Sequence, residues 1–170
     1  MAEDSIDWSE LATTTVVGGL AAGIVMGLIL QTGDGIMAAI GQFTGEPSTW
    51  IGWIIHLAFS IVAAAGFLWL LSIRPIEVAF RNKTDTMLLA IVYSALLAAT
   101  TWGFIIPVAA GFWSAFPLSD NPAAISVARF TITLGLGHLA WGVVFGAIVV
   151  HRHSPMPLIH EQDENVGETN

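Results

Sequence analysis

The sequence predicts an all-α protein: a transmembrane four-helix bundle made of two tandem helical hairpins in the same orientation. Three observations point there. Hydrophobic residues make up 55% of the 170 residues and charged residues only 11%, against about 25% charged in a soluble domain. The few charges avoid four stretches, each close to the ~20 residues needed to cross a bilayer. One two-helix sequence pattern also occurs twice.

Residues 1–10 open the chain as an acidic tail, with Glu3, Asp4, Asp7 and Glu10 ahead of the first apolar stretch. A secretory signal would be basic there, so the first helix is expected to be retained. The first membrane hairpin occupies 11–71, its spans running from Leu11 to Gln31 and from Trp50 to Leu71. A loop, 72–86, leads to a second hairpin at 87–150, with spans from Met87 to Val108 and from Phe130 to Val150. No Asp, Glu, Lys or Arg interrupts these four segments, and each such residue would cost about 2.5–3.5 kcal/mol at a helix centre. Lipid tolerates no unpaired backbone, so each span should be a helix. A second acidic tail, 151–170, carries Glu161, Asp163, Glu164 and Glu168.

The five basic residues set the expected orientation. Arg74, Arg81, Lys83 and Arg152 fall on one side and only Arg129 on the other, which predicts a multi-pass cell-membrane protein with both termini cytoplasmic. Trp50, Trp53 and Trp113 then fall near one boundary and Trp69 near the other, as an aromatic belt. Acidity with a single Lys suits a host living in concentrated salt, where screening removes self-repulsion; solvating tails in any host are the plainer reading. Both tails repel nucleic acid.

From His56 the chain reads HLAFSIVAAA, and from His138 it reads HLAWGVVFGA. GLILQ at Gly27 aligns with GFIIP at Gly103, and Gly35 with Gly111. Small residues recur at four-residue steps: Gly19, Gly23 and Gly27; Ser60 and Ala64; Ala95, Ala99 and Gly103; Gly142 and Gly146. Such steps keep them on one helix face, for packing inside the bundle or for a dimer seam. Pro107 should kink the third span by removing a bond to Gly103. Ile36, Met37, Ile40 and Phe43, and again Phe112, Trp113 and Phe116, suggest short amphipathic connectors lying in the interface.

His56 and His138 are the ionisable side chains of interest within the spans, at matched positions. They are functional candidates by location alone. Three readings compete: polar glue between helices, a proton or ion path, and two axial ligands of a b-type haem. In the haem reading Gly52, Gly135 and Gly137 would leave room for the porphyrin and Arg129 would meet a propionate or other anion. His151, His153 and His160 lack acidic or Cys partners at ligand spacing, so no metal site is assigned. The absence of Cys removes disulfides and thiolate sites. No nucleotide-binding, metalloprotease or serine-hydrolase motif occurs, and no span holds paired carboxylates. The expectation is a non-enzymatic component, a helper subunit or a small-solute or proton conduit. Its partners would be the bilayer and a homo-oligomer or larger membrane complex.

The segments GIVMGLILQ, GWIIHLAFSIV and GHLAWGVVFGAIV resemble small four-span membrane proteins of unknown function from haloarchaea and some bacteria. The resemblance covers nearly all of the membrane portion and neither tail. It implies a four-span fold and a salt-loving host.

Overall fold

The computed structural model describes residues 8–45, 47–73, 82–106, 108 and 127–152. Four long apolar helices dominate: α1 (Ser9–Asp34), α3 (Thr49–Leu71), α4 (Lys83–Ile105) and α5 (Val127–Arg152), with a short α2 (Met37–Gly41) between the first two long ones. At 1.5 Å per residue, the 23 residues of α3 reach about 34 Å, enough for a ~30 Å hydrocarbon core. The chain is a multi-pass membrane protein. Most of both tails and of the middle loop, and the second connector with Gly111, Phe112, Trp113 and Phe116, lie outside the described residues.

Around the bundle the order is α3, α1, α5, α4, each packed against its neighbours in that row. Two antiparallel hairpins, α1–α3 and α4–α5, meet along α1 and α5. Small residues make both hairpin seams. A Cβ at Gly23 would lie 2.7 Å from Ser60 Oγ, and one at Gly19 would lie 2.9 Å from the backbone of Ile61. Gly27 faces Trp53 and His56. In the other hairpin Gly142 abuts Ser94 and Ala90, and a Cβ at Gly146 would come within 2.8 Å of Ala90 Cβ. These glycines pack inside the bundle. Gly103 does not: a Cβ there would meet nothing, and Ala95 and Ala99 are exposed on the same helix. The third small-residue row therefore faces outward, because α4 contacts α5 through Ala90 and Ser94 instead.

The end of the bundle nearest the chain termini is closed by aromatic rings. Phe67, Tyr93, Trp141 and Phe145 form a continuous cluster, with Trp141 stacked on Phe145 at 4.9 Å and Phe67 edge-on to Tyr93 at 5.4 Å. A π-helical turn at Thr14–Gly18 brings Gly18 against Phe145. A second π turn, Thr101–Ile105, ends α4. It is a recognised cause of helix bending; Pro107, where the kink was expected, is outside the described residues.

The first connector differs from the expected interfacial piece. Gly35, at φ +65°, ends α1 in the left-handed conformation, and the chain turns inward. Ile36 and Met37 are buried against Leu30, Ile106, Phe130 and Leu134. Glycine allows this at two points: Gly52 lies against the Met37 carbonyl and Gly41 against Ser48, with no room for a Cβ at either. An amphipathic pattern fixes that one face is buried, but not whether lipid headgroups or the bundle mouth cover it. Ser48 Oγ accepts from the Ile51 amide at 3.4 Å and starts α3, while Asn82 Oδ1 accepts from Asp85 N at 2.9 Å and starts α4. Trp50 and Trp69 project outward at opposite ends of α3, 81% and 69% exposed. Trp53 instead turns inward and meets His56 edge-on at 6.0 Å.

A histidine-lined cavity as candidate functional site

Inside α3, every fourth residue from Gly52 faces inward: His56, Ser60 and Ala64 are all buried. This places the His56 ring against α1, where Nε2 lies 2.9 Å from the Gly23 carbonyl oxygen. One turn further on, Ser60 Oγ donates to the Gly19 carbonyl at 2.6 Å and accepts from Trp141 Nε1 at 2.7 Å. Ser60 thus joins α1, α3 and α5 through one hydroxyl. The approach depends on Gly19 and Gly23, whose missing side chains let the two helices close to hydrogen-bonding distance.

His138 comes from the other hairpin. Its Nδ1 lies 2.9 Å from the Leu134 carbonyl of its own helix. It precedes Trp141 by three residues, and His56 precedes Ser60 by four. Since Trp141 and Ser60 touch, both imidazoles sit about one turn, ~5 Å, toward the connector end from the same contact. Both are buried, with 7% and 6% exposure. Both line one cavity of about 650 Å³, with Met26, Phe59, Leu97 and Trp141 among its walls.

The hydrogen bonds define the tautomers. A carbonyl oxygen only accepts, so His56 carries its proton on Nε2 and His138 on Nδ1. In the neutral rings His56 Nδ1 and His138 Nε2 are acceptors without a hydrogen-bond partner among the described residues. Among the described residues no acidic side chain lines the cavity, and an uncompensated buried imidazolium would be costly, so the neutral form fits its surroundings.

This arrangement bears on the haem reading. A ligating histidine holds its second N–H against a carbonyl or carboxylate, and His138 has that form with Nε2 free. His56 offers only Nδ1, the nitrogen beside its own Cβ substituent, which would crowd a porphyrin face. Arg129 is also engaged elsewhere: its Nε donates to Asp34 Oδ1 at 2.9 Å. The two rings do not fit a bis-imidazole haem, and Arg129 is a partner of α1 rather than of a propionate. Of the glycines expected to leave porphyrin room, Gly52 is filled by Met37 and Gly137 by Leu30 and Met26, while Gly135 is open.

Two buried polar contacts are not signalled by residue type or spacing. Asp34 follows the expected first span, Leu11 to Gln31, yet its side chain is 1% exposed and Oδ2 has no hydrogen-bond partner among the described residues. Trp141 stands in the HLAWGVVFGA stretch as the aromatic counterpart of Phe59, and its indole N–H reaches Ser60 on another helix. No group of three or more potential metal ligands occurs among the described residues.

Comparison of the chain with family models, curated proteins and solved structures finds no match. The cavity must be interpreted from its own chemistry.

Proposed function

We propose that the protein is a non-enzymatic membrane component whose working part is the cavity around His56 and His138. It acts as a small-solute or proton conduit, or holds a small molecule as the helper subunit of a homo-oligomer or larger complex. One observation carries this reading: two buried imidazoles at matched sequence positions reach the same cavity from different hairpins. Imidazole is the side chain whose unperturbed titration lies nearest physiological pH, and a proton taken up here would need water or a counter-charge brought into the cavity. In a conduit, the aromatic cluster beneath the histidines would be the gate, since Trp141 lines the cavity and stacks on Phe145 on the side of the chain termini. Termini facing the cytoplasm, a duplicated hairpin as ancestor and a salt-loving host belong to the same reading. They are supported by the Arg and Lys bias, the HLAFSIVAAA/HLAWGVVFGA match and the acidic composition.

The test is proton flux in proteoliposomes with a trapped pH-sensitive dye. Flux above protein-free vesicles is expected, and it should fall in His56→Ala and His138→Ala. Wild-type flux in both variants, accompanied by lower melting temperatures, would reduce the histidines to packing elements and end the conduit reading. A reporter fused to the C-terminus tests the orientation independently.

A further inference from the structure

We propose that the cavity binds a membrane-dissolved amphiphile with an apolar body and a hydroxyl donor at its polar end, admitted sideways between α3 and α4. The inference rests on the reading that the histidine cavity is the working part, and specifies what occupies it.

The first support is the hydrogen-bond inventory. His56 Nδ1 and His138 Nε2 are acceptors, and no hydrogen bond to either occurs among the described residues. Most nearby donors point elsewhere: Ser60 to the Gly19 carbonyl, Trp141 to Ser60, and Tyr93 to the Ala63 carbonyl at 3.0 Å, leaving the Thr101 hydroxyl as the one uncommitted donor among the described lining residues. The cavity therefore has surplus acceptors, which a ligand must meet with donors of its own. A ligand carrying only carbonyl or ether oxygens would leave both nitrogens unpaired.

The second support is the character of the walls. Leu30, Ile36, Phe130 and Leu134 line the cavity alongside the residues already named. A bound water needs about 2–4 polar partners, and such walls supply few. The volume lies within the ~300–1,000 Å³ typical of small-molecule sites. An apolar body with one polar end matches this distribution, because the histidines lie together and the remaining lining is mostly hydrocarbon.

The third support is the way in. α1, α3, α4 and α5 close on one another except between α3 and α4, which are bridged chiefly by Tyr93 against Ala63, Gly66 and Phe67. Toward the connector end from Tyr93 the cavity reaches the outer face of the bundle. Phe59 and Val62 line it while being 64% and 67% exposed. At this depth the exterior is hydrocarbon rather than water, so the opening selects solutes that partition into lipid. The missing α3–α4 seam has a counterpart in the sequence: the small residues Ala95, Ala99 and Gly103 of α4 lie on an open face rather than on the face that carries Tyr93.

The experiment uses the full chain in lipid nanodiscs and a brominated octylphenol, whose bromine quenches tryptophan fluorescence. Its methyl ether has the same body without the donor. Saturable quenching by the phenol is expected, with the ether about tenfold weaker, the scale of about one lost hydrogen bond. The double variant His56→Phe/His138→Phe should bind phenol and ether alike. Ala63→Phe, which narrows the gap, should slow association while preserving the preference for the phenol. Equal wild-type affinity for phenol and ether would overturn the inference and identify the occupant as an acyl chain. So would the absence of saturable quenching by either probe, leaving water or a bare ion as occupant. These wild-type comparisons hold even where a variant fails to fold. Intact proton flux beside such a failure would strike only this inference; lost flux in the histidine variants bears on the conduit reading alone.

Discussion

His56 and His138 occupy matched positions in two similar stretches, yet they bind the structure together in different ways. His56 donates across a helix boundary to Gly23, whereas His138 donates back into its own helix at Leu134. The same contrast runs through the two hairpins. In α1–α3 a serine on the second helix sits against glycine on the first, and its hydroxyl reaches the backbone opposite. In α4–α5 the sizes are reversed: Gly142 on the second helix sits against Ser94 on the first, and Ser94 donates to Ile91 of its own helix at 2.8 Å. The first hairpin is tied by interhelical polar bonds, and the second is fitted by shape. Matched sequence therefore need not mean matched interaction, because a small change in neighbouring size decides which carbonyl a polar side chain meets.

Glycine substitutions should give the largest separation between the two hairpins. Gly52→Ala would drive a methyl group into the Met37 carbonyl, and backbone on both sides resists relaxation. Thermal unfolding in detergent should show a loss near the upper end of the ~1–3 kcal/mol typical of overpacking. Gly103→Ala, facing open space in the second hairpin, should be neutral or stabilise by up to about 1 kcal/mol through helix propensity. Equal effects would contradict the assignment of buried and open glycine faces.

Next comes the serine hub. Ser60→Ala leaves the Trp141 N–H without its acceptor and the Gly19 carbonyl without a donor, and stranded buried groups cost about 1–3 kcal/mol. Ser94→Ala removes only a bond within one helix, so its melting temperature should change far less. Similar shifts for the two serines would mean that the interhelical bonds add nothing.

The histidines themselves should differ by less. His56→Phe removes an interhelical bond, a class worth about 0.6–1.7 kcal/mol in membranes, and His138→Phe removes an intrahelical one. The same melting assay should rank His56→Phe as the more destabilising. Reversal of that order would place the interhelical bond on the wrong ring. At the connector end, Arg129→Gln should destabilise more than Asp34→Asn, because it strands a buried carboxylate. Its cost should fall between the ~1 kcal/mol of an exposed pair and the ~3–5 kcal/mol of a buried one, as Arg129 is 57% exposed.

Much of the architecture was legible because charge exclusion is a blunt physical requirement. The four spans and the residues that end them follow from where Asp, Glu, Lys and Arg stop and resume. The seam glycines Gly19, Gly23, Gly142 and Gly146 were visible as a four-residue rhythm. That rhythm could not say which face of a helix its neighbour would cover, so Gly103 was grouped with the others and lies open instead. Nor could it predict α2 folding inward, since Ile36 and Met37 satisfy the same pattern on a membrane surface as at a bundle mouth. Within the site, residue type located His56 and His138, but their tautomers depend on carbonyls supplied by tertiary contact. Asp34 lies three residues beyond the expected end of the first span, where a charge looks solvated until Arg129 is seen across from it.

The Asp34–Arg129 clasp joins residues 95 positions apart. Synthesis proceeds from the N-terminus, so the carboxylate emerges from the ribosome long before its counter-ion exists. A nascent chain holding three inserted segments would keep an unneutralised acid at its rim, in want of lipid headgroups or an insertase to shelter it. Arrival of the last segment supplies the counter-ion, so the clasp can close only once the fourth long helix has been reached.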